Sequence, residues 1–296
     1  MSITSQVIIL FLVVLVGLLC RRLGYFTDET IRGVTQIVIN VAVPALTISS
    51  MQRPFAYDVL LDFLLTLALT TLLVIGALAA GMLIFRSRPH ARRATAANLI
   101  TFANCGFMGY PIILAINPDW MIYAVSYNIA NIFVTWTLGV SLYQGKENVS
   151  LRHVLLNPNI LSALVGFLLF CTGVTLPTIP GEALAMLGGL TTPMTMLLLG
   201  TRLDGLHLAD LKEKDYHIIA GISLLAFPLF VRMATQLMPL NPVVADTMFI
   251  LAAMPCGTLN AMQAELYGGD NVFAARVIAY ATLLSLITVP LLSMLL

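Results

Sequence analysis

The sequence has little charge for its length. Asp, Glu, Lys and Arg make up 10% of its 296 residues, whereas 59% of the residues are hydrophobic. A soluble domain carries about 25% charged residues. A water-soluble protein of this length exposes too much surface to keep so many apolar side chains away from water. We therefore expect the chain to lie largely within lipid.

Other absences narrow the possible functions. The four cysteines are scattered without a CxxC pair, so the sequence predicts buried thiols and no metal site. It lacks Walker, HExxH and GxSxG motifs, and it lacks a central His, Asp and Ser constellation, which disfavours an enzyme. No cofactor and no nucleic-acid partner are expected. The first apolar run has no basic flank or cleavage signature, which predicts a retained span.

Ten apolar runs are separated by charged and turn residues. A membrane-spanning helix needs about 20 largely apolar residues. The predicted spans lie near 4–20, 31–51, 59–85, 94–116, 120–143, 153–174, 182–201, 216–238, 243–267 and 272–295. Because the connections are short, we expect the protein to act within the bilayer or at its two faces.

The basic residues are distributed unevenly between alternate connections. Thirteen of the 15 fall on one side, at Arg21, Arg22, Arg32, Arg86, Arg88, Arg92, Arg93, Lys146, Arg152, Arg202, Lys212, Lys214 and Arg276. Arg53 and Arg232 fall on the other side. Since basic loops remain in the cytoplasm, the pattern predicts a multi-pass protein of the cytoplasmic membrane with both termini on the outer side.

Short matches between the two halves indicate an internal repeat. Three pairs are separated by 149 to 151 residues: NCG at 104–106 with PCG at 255–257, Asp119 with Asp270, and Pro44 with Pro193. They align span 2 with 7, span 4 with 9 and span 5 with 10. An odd number of spans inverts the second copy, an arrangement common in secondary transporters. The predicted copies are 1–145 and 151–296.

Two predicted spans contain residues that interrupt a membrane helix. They are Asn104, Gly106, Gly109 and Pro111 in span 4, and Pro255, Gly257 and Asn260 in span 9. Unpaired backbone groups in the bilayer cost several kcal/mol each unless protein, water or a ligand satisfies them. One kink often reflects only packing, but paired interruptions point to a binding site. Half-helix N-termini would attract a carboxylate without Lys or Arg at mid-depth.

The predicted site residues lie on the interrupted spans and beside the prolines of spans 2 and 7. The substrate-binding candidates are Asn104, Cys105, Gly106, Gly109, Pro111, Pro255, Cys256, Gly257, Thr258, Asn260, Asn40, Pro44, Thr192 and Pro193. Small polar residues here are equally consistent with helix packing. The coupling candidates are Asp58, Asp62, Gln263 and Glu265. The three carboxylates lie near span ends, where ordinary solvated carboxylates are also found.

The chain resembles the auxin efflux carrier family, which includes the plant PIN-formed auxin exporters. The stretches that carry the resemblance are NVAVPAL (40–46), NCGFMGYP (104–111), PMTMLLLG (193–200) and MPCGTLNAMQAELYG (254–268). The family pattern N-x-x-x-M-G-x-P is met by Asn104, Met108, Gly109 and Pro111, and its second pattern by Pro255, Gly257, Ala264 and Tyr267. The chain departs from the plant members at Asn260, where they tend to have proline, and lacks their long loop after span 5.

The resemblance implies an all-α membrane protein of ten transmembrane helices. It implies two inverted five-helix repeats with crossing broken helices 4 and 9, as in bile-acid transporters and sodium–proton antiporters. It further implies a scaffold of helices 1, 2, 6 and 7, a transport unit of helices 3–5 and 8–10, elevator-type movement and a homodimer.

The expected function is secondary transport of a small organic anion across the inner membrane; the resemblance, which is to bacterial members of the family, implies an organic acid such as malonate or malate. The driving force is left open between protons, sodium and the membrane potential. A sodium-coupled symporter is the alternative within this class. A passive channel would favour a continuous polar stripe or charged ring, and an intramembrane enzyme would need a catalytic constellation.

Overall fold

The computed structural model describes residues 3–144, 152, 155–203 and 213–296. Within these ranges the chain is helical, and its β-type pairing is one isolated antiparallel bridge between Ala103 and Cys256. The main helices are α1 Ile3–Arg22, α2 Asp28–Ser50, α3 Tyr57–Ile84, α4 His90–Thr101, α5 Cys105–Ile116, α6 121–144, α7 Pro158–Thr172, α8 Thr178–Arg202, α9 Lys214–Gln236, α10 Pro242–Ala252, α11 Leu259–Tyr267 and α12 Asn271–Ser293. The predicted all-helical class is confirmed.

The helices have the length and apolarity of membrane spans. Among the described residues, α2, α3, α8, α9 and α12 are each long and apolar enough to cross a bilayer, and α5, α7 and α10 are shorter apolar helices. Large side chains such as Leu12, Leu19 and Leu72 are exposed on their surfaces, which suits lipid and not water. The chain is therefore a multi-pass membrane protein.

Each predicted span overlaps a helix, and spans 4 and 9 each overlap two. Span 4 corresponds to α4 and α5, and span 9 to α10 and α11. The predicted junction between the halves, at 145–151, lies outside the described residues, as do the predicted loop residues Lys146 and Lys212.

Local sequence signals set many helix ends. Asn157 and Asn241 each cap a helix that has proline at its first position, where the missing N–H group costs nothing. Asp270 accepts a bond from the backbone N–H of Phe273 at the start of α12 (3.0 Å). At the other ends, α7 and α11 stop at Gly173 (φ 66°) and Gly268 (φ 77°), whose left-handed conformation favours glycine.

Wide turns interrupt several helices just before a proline. Three π-helical turns, Val38–Ala42, Cys105–Gly109 and Ile222–Ala226, are followed two residues later by Pro44, Pro111 and Pro228. Proline lacks an N–H group and clashes with the preceding turn, and a wider turn relieves both problems. The α-helical geometry of α8 is also interrupted, at Leu190, three residues before Pro193.

The helices pack most extensively within two sets. One set contains α1, α2, α7 and α8, and the other contains α3–α6 with α9–α12. In the first set α1 and α8 approach closely at two glycines: a Cβ on Gly17 would lie 2.1 Å from the carbonyl oxygen of Leu197, and one on Gly200 would lie 2.0 Å from that of Val14. Small residues permit such backbone contact between membrane helices.

The second set is joined by ion pairs between distant parts of the chain. The buried carboxylate of Asp215 on α9 binds Arg88 (2.6 Å) and Arg92 (2.9 Å), at the turn between α3 and α4. Arg92 also binds Glu213 (2.8 Å) and lies over the ring of Phe273. These contacts connect the described part before residue 144 to the part after residue 213.

Candidate functional site

The two interrupted spans meet at their interruptions. The N–H group of Asn104 donates to the carbonyl oxygen of Pro255, and the N–H group of Gly257 donates to that of Phe102, each over 2.8 Å. A Cβ on Gly257 would lie 3.1 Å from the Phe102 carbonyl oxygen, which is tighter than ordinary van der Waals contact, so the two segments approach closely here. The extended segments between α4 and α5 and between α10 and α11 therefore form one crossing.

The structure places the first interruption earlier than the glycine and proline pattern predicts. The helix ends at Thr101 and resumes at Cys105, so Gly106, Gly109 and Pro111 lie in the following half-helix. Gly109 serves packing, because a Cβ there would lie 2.5 Å from a methyl carbon of Leu251.

Much of the freed backbone at the crossing is satisfied by the protein itself. The side-chain amide of Asn260 donates to the carbonyl oxygens of Phe102 (3.0 Å) and Gly257 (2.9 Å). The amide of Asn131 on α6 donates to the carbonyl oxygen of Ala103 (3.2 Å). Of the three partners that the sequence leaves open for the freed backbone, namely protein, water and a ligand, the protein itself supplies these bonds.

The half-helices nevertheless begin without side-chain caps. Asn104 precedes α5 and Thr258 precedes α11, and neither side chain bonds to the N–H groups of its helix. The first N–H groups of a helix have no intrahelical acceptor and carry partial positive charge. Both uncapped ends face the same cavity, which Gly106, Thr258 and Leu259 help to line.

Several buried amide groups at this cavity lack a partner among the described residues. They are the side-chain nitrogen of Asn104 and the side-chain oxygens of Asn131 and Asn260, and these three side chains are between 0% and 5% exposed. A buried polar atom without a hydrogen bond costs about 1–3 kcal/mol. The cavity thus contains both donors and acceptors that a solute could satisfy.

The cavity has a volume of about 100 Å³, enough for several waters or one small solute. Its polar wall consists of Asn104, Asn128, Asn131, Thr135, Asn157, Asn159, Thr258 and Asn260. None of the described residues that line it carries a charge. Within this wall, the groups that can attract an anion are the amide N–H donors and the helix ends.

Six of the predicted binding residues line this cavity: Asn104, Cys105, Gly106, Gly257, Thr258 and Asn260. Pro255 and Cys256 lie beside it in the crossing, and Gly109 and Pro111 lie further along α5. The residues predicted on α2 and α8, namely Asn40, Pro44, Thr192 and Pro193, are not in its wall. Asn40 is exposed and donates to the backbone and side chain of Gln36.

The coupling candidates are also absent from the cavity wall. Asp58 is exposed in the first turn of α3, and Asp62 accepts a bond from the side chain of Asn241 (2.6 Å). Glu265 is exposed on α11. Gln263 is fully buried, and its amide lies 3.5 Å from the carbonyl oxygen of Thr135, which lines the cavity.

The predicted site list omits polar residues on α6 and at the start of α7. Asn128, Asn131 and Thr135 are spaced i, i+3 and i+7, so they share one face of α6. This spacing alone predicts a polar face on the helix. The NPN stretch at 157–159 reads as an ordinary helix cap, and its place at the cavity depends on contacts that the local sequence does not reveal.

Comparison with known proteins gives matches along the chain. A family model described as membrane transport protein matches residues 2–150 and 146–293. A protein of Methanothermobacter thermautotrophicus, described as an uncharacterized transporter, is 26% identical over 305 residues, covering 100% of this chain and 99% of the relative. Another, from Methanocaldococcus jannaschii and described likewise, is 23% identical over 304 residues, covering 96% of each chain.

Proposed function

Because the chain belongs to the membrane transport protein family, and its resemblance to the auxin efflux carriers is thereby confirmed, we propose that it is a secondary transporter of a small organic anion. The solute would be a mono- or dicarboxylate carried across the cytoplasmic membrane. On this proposal the protein is a carrier and not an enzyme, and it needs no cofactor beyond a coupling proton or sodium ion.

The observation that carries the proposal is the uncharged cavity at the crossing. Two uncapped helix ends face it, and the buried side-chain nitrogen of Asn104, a donor, has no partner there among the described residues. Helix N-termini bind carboxylates through N–H groups and partial positive charge. A site of this kind binds an anion without a fixed charge, which lowers the cost of moving the empty site through lipid.

We further propose an inverted repeat and an elevator-type movement, with spans 1, 2, 6 and 7, which are α1, α2, α7 and α8, as the scaffold. The paired interruptions support the repeat. Regular α-helical geometry is interrupted just before the aligned prolines of α2 and α8, and the helix pairs α4–α5 and α10–α11 are each separated at aligned positions. The packing in two sets supports a division into scaffold and transport units. The proposal includes a homodimer, as the family resemblance implies.

The orientation is proposed from the basic residues. On this view the face that carries Arg21, Arg88 and Arg202 is cytoplasmic, and both termini lie outside.

Counterflow in liposomes tests the proposal. Purified protein is reconstituted, loaded with unlabelled malonate, malate, acetate or pyruvate, and placed in a trace of the same labelled acid. A carrier accumulates label transiently and saturably, because it exchanges one solute for another. A current without saturation indicates a channel, chemical conversion of the acid indicates an enzyme, and either result would overturn the proposal.

A further inference from the structure

A second cavity, outside the crossing, is lined by three arginines. It has a volume of about 310 Å³, and its wall contains Arg21, Arg202 and Arg276, from the ends of α1 and α8 and the first turns of α12. Alanines occupy much of the remaining wall. Three arginine residues therefore border a space that small neighbouring side chains leave open, and we call it the arginine pocket.

The arginines of this pocket are held to different degrees. Arg21 is fixed by Asp28 and by the carbonyl oxygen of Phe26, both at 2.7 Å. Arg202 makes no hydrogen bond or ion pair with any other residue that the structure describes. Its guanidinium group presents several N–H donors in a planar fork that matches carboxylate and phosphate oxygens.

The arginine pocket adjoins the crossing. Thr258, the residue before α11, lines both the pocket and the crossing cavity. A narrow gap of about 20 Å³ lies between them and is bordered by Arg202, Asn104 and Thr258. An anion held by Arg202 would thus lie next to the amide and the helix end that face the crossing.

We propose that the arginine pocket is a second anion-binding subsite, which takes a solute with two or more negative charges, such as a dicarboxylate or a phosphate, beside the crossing. This inference rests on the proposed transport function and adds the charge of the preferred solute. The crossing cavity offers only the partial charges of helix ends and amides, so one carboxylate of the solute is enough to occupy it. Arg202 can bind a further anionic group, and the positive charge of the pocket attracts anions to this place.

Topology alone does not account for this arrangement. A basic residue that only fixes orientation needs no more than a place on the cytoplasmic side of the membrane, and Arg86, exposed in the turn after α3, is such a residue on the proposed orientation. Arg21, Arg202 and Arg276 come from three helices and line one cavity, which shares Thr258 with the wall of the proposed site.

Calorimetric titration of the protein in phosphatidylcholine nanodiscs tests the subsite. Malonate, citrate and inorganic phosphate serve as multivalent probes, and acetate as the monovalent probe. We expect Arg202→Gln and Arg276→Gln each to weaken binding of the multivalent probes by about tenfold to a hundredfold. Arg86→Gln, which removes the same charge outside the pocket, should change nothing. Arg202→Lys keeps the charge without the fork and should fall between wild type and Arg202→Gln.

Unchanged affinity in the pocket variants, or no binding of any multivalent probe to the wild type, would overturn the subsite. A lipid headgroup is the competing occupant, so the titration is repeated in phosphatidylglycerol nanodiscs. If anionic lipid displaces the probes and co-purifies with the wild type but not with Arg202→Gln, the pocket binds lipid and the solute proposal is wrong. Arginine-dependent binding without counterflow would instead retain the subsite and overturn the transport function.

Discussion

Two asparagines at the crossing have different roles at the scale of single residues. The side-chain nitrogen of Asn104 has no partner among the described residues, whereas that of Asn260 donates to the carbonyl oxygen of Phe102 across the crossing and to that of Gly257 within its own segment. The first side chain is therefore free to bind a solute, and the second also holds the two interrupted spans together. Substitutions at the two positions should therefore have different effects when anion binding and thermal stability are measured independently.

We expect Asn104→Ala to weaken binding of the anion identified by counterflow by about 5- to 100-fold, the loss of one desolvated hydrogen bond. The melting temperature should stay unchanged, because the protein loses no internal side-chain bond. Asn260→Ala should weaken binding and also lower the melting temperature. Binding is measured by calorimetry and melting by fluorescence, with His90→Ala, on the exposed start of α4, as the silent control. Normal affinity in Asn104→Ala would place the site elsewhere.

The carboxylates at the start of α3 lie outside the cavity wall, so they are expected to influence coupling and not affinity. Asp58→Asn and Asp62→Asn keep the shape and remove the titration. If protons couple through this pair, one variant loses stimulation by an imposed pH gradient while its anion affinity is retained. Uptake is measured under a pH gradient, a sodium gradient and a potassium-diffusion potential, one at a time. A strict sodium requirement would contradict proton coupling and direct attention to Gln263 and the carbonyl oxygen of Pro255.

At the scale of elements, the sequence predicted the helices better than it predicted their interruptions. Apolar runs of sufficient length locate helices, because lipid demands internally bonded backbone. The first interruption falls at 102–104, ahead of the glycines, because Phe102 and Asn104 pair with Gly257 and Pro255 about 150 residues away. Contacts at that separation leave no local pattern. The same reason explains why Asn157 and Asn159 were missed, while the shared face of Asn128 and Asn131 was readable.

The contact between α1 and α8 provides a test of packing. Gly200→Ala would place a methyl group 2.0 Å from the carbonyl oxygen of Val14, so the helices must separate. Overpacking of this kind costs about 1–3 kcal/mol, and we expect a lower melting temperature. Gly76→Ala on α3, which meets nothing within 4 Å, should be neutral or slightly stabilising. Equal melting temperatures for the two variants would contradict the close approach of α1 and α8.

For the whole molecule, the proposed orientation places the turn between α3 and α4 inside the cell and the turn between α2 and α3 outside. We expect Ser87→Cys to react with a membrane-impermeant maleimide only after the cells are opened, and Pro54→Cys to react in intact cells. Both positions are exposed. The half-buried native thiols, Cys20 and Cys171, are replaced by serine first. External labelling at Ser87→Cys would reverse the orientation.

The central claim is that the anion binds where the two interrupted spans cross. The most direct measurement is a cryo-electron microscopy structure of the protein with the anion that gives counterflow, compared with one prepared without it. The account predicts ligand density between the first turns of α5 and α11, with a carboxylate within hydrogen-bond distance of the side-chain nitrogen of Asn104. Ligand density confined to another part of the protein, with the crossing unchanged, would contradict it.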